Sequence, residues 1–174
     1  PQERLMRITR FAALGMVFAA LAACQQAPQP LSPADEAAIR AADSSFAVAF
    51  NAVNVEGMTS LYAADAVIQP PNMPEAAGTE AIRQLWTGLT SQTTANLTLT
   101  PGRISGEGNM ALLLGSYHLV LAMKDTTQAA PPPEDGKYLI VTMRQADGSW
   151  KIVADSWSPN AAPAAPAPAP ARRR

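Results

Sequence analysis

The sequence holds one cysteine and one histidine in 174 residues, and that scarcity removes several kinds of chemistry at once. Cys24 alone cannot close an intrachain disulfide or build a zinc site. His118 has no evident second oriented group to make it a proton relay. There is no glycine-rich phosphate loop, no nucleophile elbow and no spaced set of metal ligands, so neither a metal nor a cofactor is expected. The apolar run from Phe11 to Ala23 falls short of the roughly 20 residues that span a bilayer. Basic residues are also few where a partner would meet them. Between Ser32 and Pro159 seven stand against thirteen acidic ones, a balance of −6, while arginines gather at the two ends. A domain of that sign repels phosphate backbones, so nucleic acid is an unsuitable partner.

What is present divides the chain into four parts. Residues 1–23 read as a secretory signal, with a start at Met6. Arg7 and Arg10 supply the basic stretch, the run from Phe11 the apolar one, and small residues precede a cut point. Leu21-Ala22-Ala23-Cys24 is similar to the bacterial lipobox, which implies that Cys24 is acylated and becomes the mature N-terminus. Each buried CH₂ of an acyl chain contributes about 0.8 kcal/mol, so two or three chains hold firmly to a membrane. The implied location is the cell envelope, facing the periplasm. Gln25, where inner-membrane lipoproteins commonly carry aspartate, favours the outer membrane. Residues 24–31 form a polar, proline-containing tether, 32–159 the folded domain, and 160–174 a disordered alanine/proline tail ending in arginines.

Within the domain, Ser32-Pro33-Ala34-Asp35 carries an N-cap serine, proline at the first helical position and an acid three residues on. Ile39, Ala42, Phe46, Phe50 and Val53 continue at helical spacing. A second helix is expected over 56–64, presenting Met58, Leu61 and Tyr62. Ala66 to Ile68 read as a short strand, and Thr79 as the cap of a third helix that buries Ile82, Leu85, Trp86 and Leu89. Beyond that the period becomes two. Strands are expected over 95–104, 110–124, 137–145 and 150–157, the last pair joined at Asp147-Gly148. Helices followed by an antiparallel sheet indicate an α+β fold.

Pairing Gln145 with Trp150 sets Met143 against Ile152, Val141 against Ala154 and Leu139 against Ser156. That mainly apolar face is expected to pack on the helices. The opposite face, with Tyr138, Ile140, Thr142, Asp155 and Trp157, is left for solvent or for a dimer. In strand 110–124 the alternation leaves open whether Tyr117 or His118 points inward.

The order of elements is similar to the SnoaL-like branch of the nuclear transport factor 2-like superfamily. The likeness rests on Leu61-Tyr62-Ala63-Ala64-Asp65-Ala66-Val67, Pro70-Pro71 and Gly78-Thr79-Glu80-Ala81-Ile82 with Trp86. It continues in Gly136-Lys137-Tyr138 and Asp147-Gly148-Ser149-Trp150-Lys151-Ile152-Val153. The resemblance implies a cone: a curved antiparallel sheet wrapped around three N-terminal helices, with a pocket at the open end and dimerisation through the sheet. Ketosteroid isomerases of that superfamily use an aspartate base with a tyrosine and a protonated aspartate as oxyanion hole. The corresponding positions here are Pro70, the Phe46/Phe50 pair and Val141, and a histidine found on the last strand of many relatives is replaced by Ser156.

On these residues the expected function is non-catalytic: binding of a small hydrophobic ligand or a partner protein. The pocket candidates are Tyr62, Trp86, Tyr117, His118, Met143 and Ser156. The alternative is an isomerase, cyclase or hydrolase-like enzyme on a small apolar substrate, with His118 or Asp65 moving the proton.

Overall fold

The computed structural model describes residues 29–161. The expected signal, Cys24 with its expected acylation and nearly all of the alanine/proline tail lie outside them. Among the described residues there are three helices, α1 (Pro33–Asn51), α2 (Val55–Thr59) and α3 (Gly78–Thr90), the second little more than one turn. The strands are β1 (Tyr62–Gln69), β2 (Ala76–Ala77), β3 (Thr93–Glu107), β4 (Met110–Met123), β5 (Glu134–Arg144) and β6 (Trp150–Pro159). They form one six-stranded sheet in the order β2-β1-β6-β5-β4-β3. The sheet is mixed, not wholly antiparallel as expected, because β1 runs parallel to β6. Among the described residues no helix is long and apolar enough to cross a membrane.

The start of α1 follows its sequence. The Asp35 amide donates to Ser32 Oγ (3.2 Å) and the Ser32 amide to Asp35 Oδ2 (3.1 Å), a reciprocal cap that satisfies two otherwise free donors. The buried stripe is Ile39, Asp43, Ala49 and Phe50, with Phe46 packed against it. An acid therefore stands where Ala42 was expected. Two side chains fasten α1 over the edge strand β3. Asn51 exchanges both hydrogen bonds with the Leu97 backbone (2.9 and 2.6 Å), and the Arg40 guanidinium donates to the carbonyls of Pro101 and Gly102 (3.2 and 3.1 Å). These bonds occupy backbone groups that the edge strand would otherwise leave unpaired.

Two other helix expectations change. Tyr62 opens β1 and is not part of α2, because the chain turns at Ser60 and Leu61 directly into the strand. Thr79 lies inside the first turn of α3, whose cap position is Ala77 and carries no side-chain hydrogen bond.

The faces of β5 and β6 differ most from expectation. Next to the hairpin, Arg144 pairs with Trp150, Met143 with Lys151 and Thr142 with Ile152. A bulge at Val153 then restores Val141 opposite Ala154 and Leu139 opposite Ser156. One extra residue reverses the alternation, so Ile152, Asp155 and Trp157 all reach the inner side. Tyr138, Ile140 and Thr142 are buried, while Leu139 and Met143 are each 38% exposed. Of the face assigned to the helices, Ile152 does turn inward, whereas Leu139, Met143 and Ser156 lie on the outer side.

Candidate functional site

Between the helices and the concave side of the sheet lies a cavity of about 180 Å³. A cavity of roughly 150 Å³ admits benzene, so this one accommodates a ring system with a short substituent. Trp86 of α3 is the hub of its wall. Phe46 and Phe50 of α1 meet its ring edge-on at 5.2 and 6.1 Å, and Trp157 of β6 stacks on it at 5.7 Å. Leu89, 37% exposed, and half-buried Leu119, Leu121 and Glu134 form the rim.

Three tyrosine–carboxylate pairs line this apolar space. Tyr62 donates to Asp155 Oδ2 (2.7 Å), Tyr138 to Asp43 Oδ2 (2.8 Å) and Tyr117 to Glu134 Oε1 (2.6 Å). Burial pushes the Asp155 carboxyl up to about 6; the Tyr62 hydrogen bond opposes the rise and the charge of Asp43 adds to it. Asp155 as a residue is only half-buried, but its carboxyl end is enclosed, and that end sets its acidity. Asp43 is raised by burial too, against the Tyr138 hydrogen bond and the charge of Arg40. The same burial, with the facing carboxylates, holds all three phenols well above their ordinary value, so they remain donors. The Trp86 indole N–H faces Tyr62 without reaching hydrogen-bond geometry and is left without an acceptor.

Two glycines make the tyrosine positions possible. Gly115 pairs with Tyr138 and Gly136 with Tyr117 across neighbouring strands. A Cβ at Gly115 would come within 2.3 Å of the Tyr138 ring, and one at Gly136 within 2.2 Å of the Tyr117 ring. Each ring therefore lies flat over a glycine, which directs its hydroxyl along the sheet to its acid.

Of the six pocket candidates, Tyr62, Trp86 and Tyr117 line the cavity and His118, Met143 and Ser156 do not. Tyr117 is the inward residue of β4. His118, its neighbour, lies on the outer face and pairs with Asp135 directly across the strands (Nδ1 to Oδ1 2.8 Å), both exposed. Met143 and Ser156 occupy the outer face because of the inverted register, and Ser156 Oγ donates to the Gln69 carbonyl (3.3 Å). Asp65 is exposed on β1.

The residues missed are the polar ones: Asp43, Glu134, Tyr138 and Asp155. None of the six candidates carried a carboxyl, and these residues bring three to the cavity. A signal for Asp43 was available, since Ile39, Asp43, Phe46 and Phe50 keep helical spacing as well as any stripe containing Ala42.

A model of the SnoaL-like domain family matches residues 43–153. The match begins at Asp43 and stops two residues short of Asp155. No curated protein matches the sequence. Among solved structures, a ketosteroid isomerase-like protein from Erwinia carotovora atroseptica superposes with TM-score 0.66 at 18% identity, over 72% of this chain and 96% of that one. ActVI-ORFA from Streptomyces coelicolor gives 0.61 at 13% identity, over 72% and 96%. A nuclear transport factor 2-like superfamily protein from Salmonella enterica gives 0.63 at 17%, over 74% and 92%. At such identities the likeness is one of fold.

Proposed function

The chain belongs to the SnoaL-like domain family, and from that premise we propose that its cavity binds a small, mainly apolar molecule whose polar group meets the buried acids. One observation carries this reading. An aromatic-walled space of about 180 Å³ holds Asp43 and Asp155, each given one tyrosine hydroxyl by the side chains around it. A carboxylate has acceptor sites for more than one donor, and burying them unfilled is costly. A ligand that fills the space and offers donors relieves that cost. We propose further that the domain is displayed at the cell envelope on an acylated Cys24, and that two copies associate through the outer sheet face with Leu139 and Met143.

A second reading has its own support. A carboxyl titrating near 6 inside an apolar cavity is suited to taking and returning a proton, which fits an isomerase or cyclase acting on a small carbonyl compound. The two separate with 2-tetralone, a neutral bicyclic ketone with an exchangeable proton beside its carbonyl. Binding is read from the thermal midpoint of the purified chain, since a ligand of the folded state stabilises it by mass action. Proton transfer is read by NMR as deuterium uptake from D₂O. A raised midpoint with exchange no faster than in buffer is the expected result. Accelerated exchange that disappears in Asp155→Asn would establish the enzymatic reading instead. The mass of the same sample in solution checks the association, with two chains expected.

A further inference from the structure

We infer that the cavity selects a cation: a protonated amine carried on an aromatic or similarly flat apolar body with a hydrogen-bond acceptor beside it. The inference rests on the binding reading above and names the class of molecule that the same cavity takes.

Charge comes first. Asp43, Asp155 and Glu134 face the cavity, and among the described residues no lysine, arginine or histidine belongs to its lining. The cation nearest Asp43 is Arg40, one turn earlier on α1, and its guanidinium is engaged by the carbonyls of Pro101 and Gly102. The described lining thus carries negative charge alone, and Arg40 acts on Asp43 from outside it. An anionic ligand would meet like charge in a poorly solvated space, where such repulsion is strongest. A neutral ligand would fill the volume but leave the carboxylates without a counter-charge. An ammonium group supplies three donors and the missing charge together.

The walls agree with the charge. Phe46, Tyr62, Trp86 and Trp157 form one aromatic cluster. Ring faces attract cations, and the attraction grows when both partners leave water. An independent observation concerns the ligand's other polar atom. The Trp86 indole N–H, on a residue 3% exposed, is turned to Tyr62 and makes no hydrogen bond of full geometry among the described residues. A ligand oxygen or similar acceptor that parts the Trp86 and Tyr62 rings would satisfy it.

Three probes of one shape isolate the charge: 2-amino-1-phenylethanol as the cation, 1-phenylethane-1,2-diol as the neutral form and mandelate as the anion. Each has the same ring and the same hydroxyl. Calorimetric titration of the full chain at about pH 8, above the Asp155 value of about 6 and with the amine protonated, should give affinities in that order. The amine is expected to bind at least about tenfold more tightly than the diol, as one desolvated charge pair of about 1.4 kcal/mol would produce, with mandelate undetected. In Asp155→Asn and in Asp43→Asn, each checked for fold by circular dichroism, the amine-to-diol ratio should fall towards one. Diol binding equal to or tighter than amine binding would overturn the cation preference while leaving a binding cavity in place. A preference that survives both substitutions would overturn it as well. If none of the three probes binds, the cation preference fails, and the thermal midpoint with 2-tetralone decides separately whether the cavity binds at all.

Discussion

Asp155 is the residue on which the site's chemistry turns, and its burial makes a prediction about stability. Its acidity is raised from 3.8 to about 6 in the fold, so between those values the folded chain keeps a proton that the unfolded chain has released. Stability from this group therefore falls as pH climbs from about 4 to about 6 and is level beyond. Asp43, raised in the same direction and coupled to Asp155, adds to the slope. Asparagine in place of Asp155 removes the charge and keeps an oxygen for the Tyr62 hydroxyl. Asp155→Asn should exceed the parent chain in stability by on the order of 1–2 kcal/mol above pH ~6. The two should converge near pH ~4, as read by urea denaturation across that range. Parallel curves would mean that the carboxyl is not desolvated. This residue was hidden in the sequence for a local reason. Strict alternation from Ile152 sends Asp155 outward, and only the bulge at Val153, which no turn residue announces, brings it in. Asp43 was passed over because an acid in a helix is usually solvated. Tyr62 and Trp86 were legible because large aromatics at the seams of helix and sheet have nowhere else to go.

At the level of elements, the hydrophobic period and turn chemistry placed α1, α3 and the four strands from Thr93 onward close to where they lie. Tertiary packing decided what period could not. Leu61-Tyr62 continues a helical spacing, yet Tyr62 is drawn into β1, where Ile152 pairs with it and the Leu61 carbonyl accepts from the Ile152 amide (3.0 Å). The pairing of β4 with β5 contains a device that sequence reading overlooked, the two glycines beneath the two tyrosines. Gly115→Ala should push the Tyr138 ring off its partner strand and break its bond to Asp43. The overpacking should cost about 1–3 kcal/mol, measured by chemical denaturation, and should weaken ligand binding in the same sample. Gly88→Ala is the contrasting case. Nothing stands within 4 Å of a Cβ built there, in the last turn of α3, so alanine's better helix propensity should stabilise by about 0.5 kcal/mol. If Gly115→Ala were as mild as Gly88→Ala, the tyrosine would not depend on the glycine for its position.

For the whole molecule the informative relation is between the proposed membrane anchor and the cavity rim. The chain enters the domain at Gln29, whose carbonyl accepts from the Gly108 amide (2.7 Å), and Pro30 bridges to Glu107. That is the β3–β4 hairpin turn. The rim residues Leu121 and Glu134 lie at the other ends of their strands, where Thr93 pairs with Met123 and Leu119 with Glu134. β4 is 14 residues long, and at roughly 3.3 Å per residue the two ends stand about 40 Å apart. A tether from Cys24 to Gln29 is too short to fold back over that distance, since a fully extended residue spans at most about 3.6 Å. An acylated chain would therefore hold the hairpin turn at the membrane and turn the rim towards the aqueous side. Binding should then be independent of attachment. Cys24→Ala is expected to move the protein from the membrane to the soluble fraction of a bacterial host and to leave its affinity for 2-tetralone unchanged. In the acylated form on vesicles, Trp157, beside the rim, should stay open to a water-soluble fluorescence quencher and closed to one carried in the lipid. Quenching from the lipid side would place the rim against the membrane and imply that ligands arrive through the bilayer.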